Sequence, residues 1–85
     1  MKVNKVLQQQ YFEIVENQIK SNDPPETKIN FERLKKEGYS DFELKQLIGQ
    51  CIALETFLII KYNKEFDKER YIRNLNNLPE EPQEN

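Results

Sequence analysis

The sequence predicts an all-α protein, a compact bundle of about four helices around a long central third helix. Three observations carry this reading. Apolar residues recur at three- and four-residue steps along most of the chain, the period of one helical face. The four prolines and Gly38 stand between those runs, where helices end and begin. No alternating strand pattern and no internal repeat breaks the pattern.

The first helix is expected from about Asn4 to Lys20, with Val3, Val6, Leu7, Tyr11, Ile14, Val15 and Ile19 on its apolar arc. Asp23-Pro24-Pro25-Glu26 separates it from the second, because proline suits a first helical turn and Asp23 is placed to cap it with Glu26 three residues on. The second helix, Pro25 to about Lys36, is too short to hold by itself. It offers Ile29, Phe31 and Leu34 for packing, and Gly38 stops it. Ser40-Asp41-Phe42-Glu43 matches the capping box, in which serine and glutamate each satisfy an orphan backbone N–H.

The third helix, Asp41 to about Tyr62, is the spine, since Leu44, Leu47, Ile48, Cys51, Leu54 and Leu58 make a continuous core face. Residues 63–66 form a turn, Asp67 caps a short fourth helix bearing Tyr71, Ile72, Leu75 and Leu78, and Pro79 ends it. Residues 1–79 therefore read as one helical domain. Residues 80–85 carry three glutamates and no apolar residue, and are expected to be a disordered acidic tail.

Composition narrows the function classes. With 85 residues there is room for one modest core, burying about 60 to 65% of the surface of the unfolded chain, so self-association is a natural supplement. Thirteen basic residues against fifteen acidic give a net charge of -2 with the signs interspersed, which leaves no basic stripe for nucleic acid or an anionic membrane. The N-terminal residues contain no uninterrupted apolar stretch of the kind that directs secretion. The longest apolar run, Cys51 to Tyr62, is broken by Glu55, Thr56 and Lys61 and falls short of the roughly 20 residues that span a bilayer. Cys51 is the only cysteine, consistent with a reducing compartment, and the expected localisation is cytoplasmic.

Several motifs, taken in order, give a family resemblance. They are Glu16-Asn17-Gln18-Ile19 followed by Asp23-Pro24-Pro25, then Arg33-Leu34 with Glu37-Gly38-Tyr39-Ser40 before the long helix, and finally Phe66-Asp67 with Tyr71, Leu75, Leu78 and Pro79. Over roughly residues 10 to 79 this order resembles the bacterial domain-of-unknown-function family eighteen forty-one and its short stand-alone relatives. The resemblance implies a compact helical fold with no established activity. The family often places histidines where this chain has Phe12, Phe42 and Gln46, so any chemistry resting on them does not carry over.

The chain has no histidine at all, which removes the usual general base, nucleophile activator and zinc ligand together. Gly38 and Gly49 are isolated, so no phosphate-binding loop can be drawn. No catalytic residue, metal or cofactor is assigned. Glu55 is the residue singled out, because it falls within the core face of the third helix, where a carboxylate must find hydrogen bonds or hold a proton. Gln18, central on the first helix, is expected to supply amide donors, with Tyr11, Tyr62 and Tyr71 as further donors. Glu55, Gln18 and Glu16 form the candidate ligand-binding set, set against the plainer reading of a satisfied polar pair that holds helix register. Cys51 reads as a buried small hydrophobe, and the mixed-charge runs 35–37 and 64–70 as solvated faces.

A second apolar stripe, Phe42, Gly49, Ala53, Phe57 and Ile60, runs along the other side of the third helix, rimmed by Glu43, Lys45 and Lys61. Either a short helix covers it or another chain does, with Phe42, Phe57 and Ile60 as anchors. The expectation is a non-enzymatic interaction or accessory protein that self-associates, as a homodimer, or binds a helical partner. The alternative is a small-molecule binder or minimal acid/base enzyme built on a buried carboxylate.

Overall fold

The computed structural model describes residues 5–85 and contains four helices: α1 (Lys5–Ser21), α2 (Pro25–Lys36), α3 (Asp41–Tyr62) and α4 (Lys68–Asn77). The expected start of α1 at Asn4, the position of Val3 and the side chain of Val6 lie outside the described residues.

Local chemistry sets the helix ends. Asn22, left-handed at φ 54, closes α1 with two reversed bonds, its own N–H to the Ile19 carbonyl at 3.2 Å and that of Asp23 to the Gln18 carbonyl at 3.0 Å. Gly38, at φ 106, closes α2 in the same way, with bonds from Gly38 to Lys35 and from Tyr39 to Leu34. A side chain at Gly38 would be strained by the backbone alone. The expected capping box is complete at α3, where Ser40 Oγ accepts from the Glu43 N–H at 3.1 Å and Glu43 accepts from the Ser40 N–H at 3.0 Å. Asp67 caps α4 by accepting from the Arg70 N–H at 3.0 Å.

One expected cap is absent. The residue before α2 is Pro24, with no side-chain capping bond, and Asp23 does not cap the helix. The reason is positional: Asp23 stands one residue too early, and its own N–H closes α1.

α3 touches each of the other three helices. Val15, Leu34, Leu44, Ile48, Cys51, Ile52, Tyr71, Leu75 and Leu78 form one buried cluster around it, with Tyr11, Ile19, Phe31, Tyr39 and Leu47 packed at its margin. At roughly 25 cal/mol per Å² of apolar surface, such burial is the main term favouring the fold. α1 runs antiparallel to α3, because Glu16 meets Lys45 while Tyr11 meets Gly49. Gly49 is buried against Tyr11, so α1 covers this part of the second stripe.

α2 departs from expectation. Ile29 is 60% exposed, and the buried face is Thr27, Asn30 and Leu34. A polar seam with α4 turns the helix this way. Asn30 donates to Asn76 Oδ1 at 2.9 Å, while Arg33 donates to Asn30 Oδ1 at 3.1 Å and to the Leu78 carbonyl at 2.9 Å. Residues 80–85, expected to be disordered, lie along α4, where Asn74 pairs with the backbone of Gln83.

Candidate functional site

Glu55 sits on α3 one helical turn after Cys51 and one before Leu58, both buried, and is itself only 1% exposed. A lone carboxylate there would cost several kcal/mol in lost hydration. Arg70, from the first turn of α4, meets it edge-on. Its Nε donates to Oε2 at 2.6 Å and its Nη2 to Oε1 at 2.8 Å, and the Asp67 backbone N–H adds a third bond to Oε1 at 3.1 Å. The paired fork is the geometry in which guanidinium and carboxylate bind most strongly. The Glu55 bonds also raise the pKa of Arg70 above its usual value, holding the guanidinium charged.

Gln18 belongs to a different network. Its Oε1 accepts from the Thr27 hydroxyl and from the Tyr71 hydroxyl, both at 2.7 Å. The expected amide donor therefore acts as an acceptor, tying α1 to α2 and α4. Burial drives the Tyr71 phenol up to about 12, against the opposing effect of its hydrogen bonds to Thr27 and Gln18. Glu16 lies in a third place, on the surface, with its carboxylate 2.6 Å from Lys45 Nζ. The expected trio of Glu16, Gln18 and Glu55 is thus divided among three networks that share no hydrogen-bond partner. They do not converge on one pocket. Spacing placed Glu55 inside but could not tell that its partner would come from another helix.

Cys51 is free and buried, and burial, with the Glu55 charge adding to it, pushes its thiol up to about 12. A thiol so raised holds almost no thiolate at neutral pH. Among the described residues, every buried side-chain nitrogen and oxygen has a partner, and no three Asp, Glu or Cys side chains converge as metal ligands would. Thr27 and Asn30, spaced with Leu34, and Asn74, spaced with Tyr71, are buried and polar and had no other sequence signal.

The second stripe of α3 has two parts. Its middle is taken up by α1, and beside the contact a groove of about 330 Å³ remains, walled by Tyr11, Phe12, Leu47, Gly49 and Ala53 with Gln46 and Gln50 at its rim. Its ends are open: Phe42 is 55% exposed, Phe57 49% and Ile60 78%. Phe42 meets Phe12 edge to face at 5.4 Å between centroids. Leu58 is the last buried residue of α3, and the final turn projects past the core. There Lys61 stands 5.2 Å over the Phe57 ring and 5.1 Å over Tyr62.

No helix among the described residues is long and apolar enough to cross a membrane. No protein-family model matches the chain, and neither a curated protein nor a solved structure is significantly similar to it.

Proposed function

We propose that this chain is a non-enzymatic interaction module, which uses the open ends of the α3 stripe to self-associate or to hold a helical partner. The observation that carries the reading is the exposure of Phe57 and Ile60, three residues apart on one helical face, on either side of Leu58, the last buried residue of the spine. Large apolar side chains grouped on a projecting helix and rimmed by charge are the anatomy of an association surface. A facing helix would seat such residues in its grooves, as in other helix-on-helix recognition.

The state of Glu55 supports the same reading. A carboxylate held by two guanidinium bonds and a backbone N–H serves register between α3 and α4 better than proton transfer. The free, buried Cys51 agrees with a cytoplasmic setting. The family resemblance, a compact helical fold without an assigned activity, belongs to this proposal as well.

Light scattering after gel filtration, at two concentrations a hundredfold apart, tests the surface directly. A mass of two chains that Phe57→Asp with Ile60→Asp reduces to one, with the far-ultraviolet helical signal kept, supports self-association. A monomer at both concentrations excludes self-association and leaves a different partner, for which a pull-down with wild type against Phe57→Asp is the test. Association that survives both substitutions overturns the reading.

A further inference from the structure

The C-terminal segment has no apolar residue to bury, yet it is seated on α4 by side chains that read its backbone. Asn74 is 2% exposed and exchanges two hydrogen bonds with one residue: its Nδ2 donates to the Gln83 carbonyl at 3.1 Å, and its Oδ1 accepts the Gln83 N–H at 3.0 Å. That exchange is the one a neighbouring β-strand would offer, so it selects extended backbone whatever the side chain. One turn back on the same helix, Arg70 uses the nitrogen not engaged by Glu55 to reach the Glu84 carbonyl at 3.4 Å. Arg73 donates to the carbonyl of Asn85. Two guanidinium groups thus flank the reading amide, each on a backbone carbonyl, and Glu84, within the held residues 83–85, adds its negative charge beside Arg70, with Glu80 and Glu81 just before that segment.

We propose that this face of α4, with Asn74 at its centre and Arg70 and Arg73 beside it, is a docking site for an extended acidic peptide, filled in cis by residues 83–85 and open in trans to an acidic segment of another polypeptide. It is distinct from the apolar stripe of α3. Because the cis segment is tethered by only a few residues beyond Leu78, its effective concentration is in the millimolar range for short flexible tethers. A weak incoming peptide therefore competes poorly, and the site opens only when the cis segment is released. Arg70 makes the docked segment continuous with the buried Glu55 pair, so occupancy and the α3–α4 contact are linked through one side chain.

The test uses the full chain and the peptide Glu-Glu-Pro-Gln-Glu-Asn. In the wild type, the Gln83 amide is expected to exchange with solvent at least tenfold more slowly than in the free peptide. Gln83→Pro removes the N–H that Asn74 accepts and leaves α4 untouched. This variant is expected to bind the added peptide at least tenfold more tightly than wild type, followed by the shift of the Asn74 side-chain amide. Adding Asn74→Asp, which keeps the acceptor and deletes the donor, is expected to abolish that binding. Replacing the peptide's glutamates by glutamine is expected to weaken it at least fivefold. Free exchange at Gln83 in the wild type overturns the proposal, as does equal peptide affinity in wild type and Gln83→Pro, or no binding to Gln83→Pro. Equal affinity for the glutamine peptide overturns its acidic specificity. Should Asn74→Asp fail to fold, the comparison of Gln83→Pro with wild type still decides.

Discussion

Arg70 grips Glu55 through both carboxylate oxygens, at 2.6 and 2.8 Å, and so fastens the start of α4 to the middle of α3. The pair stands between the Asp67 cap on one side and the docked C-terminal segment on the other. One guanidinium serves all of these at once.

Removing either partner leaves the other charged and poorly hydrated. Arg70→Met is expected to cost about 3–5 kcal/mol in urea unfolding, and Glu55→Met a comparable amount. The double variant, with both charges gone, is expected to recover most of the loss, because well-packed apolar replacements of a buried pair are often neutral. A double variant as unstable as the worse single one would show that the site needs the charge itself.

Tyr71 and Cys51 give the alkaline limb its shape. Both pKa values are raised to about 12, from ordinary values of 10.0 and 9.0, with burial as the first cause. The folded state therefore holds these protons longer than the unfolded one. Their contribution is intact below about pH 9 and is lost as pH climbs toward 12. Absorbance at 295 nm should show Tyr71 ionising only with alkaline unfolding, and the thiol of Cys51 should stay silent toward a disulfide reagent in the native state. Tyr71→Phe removes the first signal and leaves Gln18 short of one donor, at a cost of about 1 kcal/mol.

The two glycines should respond oppositely to alanine. At Gly49 an added Cβ would sit 3.6 Å from the Tyr11 Cβ, an ordinary contact. Gly49→Ala is accordingly expected to stabilise by up to about 1 kcal/mol through helix propensity. Gly38→Ala meets nothing in space, but its φ of 106 is strained for an L side chain, and a loss of about 1 kcal/mol or more is expected. Thermal unfolding of both variants checks the pair.

At the start of α3, the Ser40 backbone and hydroxyl hold the Glu43 carboxyl below its usual value of 4.5. The stabilisation from that depressed pKa is present above pH 4.5 and is lost as pH falls through the folded value. Ser40→Ala is expected to cost about 1 kcal/mol at pH 7. It should also return the Glu43 titration, followed by NMR, toward its ordinary midpoint. An unchanged midpoint would show that the hydroxyl does not contribute in solution, since the Ser40 N–H, the larger cause, survives the substitution.

How much of this was legible in the chain depends on range. The ends of α2 and α3, the Ser40 and Glu43 box, the Gly38 stop and the Asp67 cap are all read from residues within a turn of one another, and hydrogen bonds of that reach leave a pattern in sequence. The burial of Glu55 was legible for the same reason, since helical period alone carries it to the core face. Its partner was not, because Arg70 lies fifteen residues on and belongs to another helix. Likewise Gln18 meets Tyr71 across 53 residues, and α2 turns Ile29 outward only because Asn30 and Arg33 find partners on α4. The sequence by itself determined which segments are helical and where they stop, through bonds closed within a few residues. Only the tertiary structure decided which polar side chains are paired, which apolar ones remain open, and that the acidic end of the chain lies on α4, because each of those outcomes depends on how separate helices are rotated against one another.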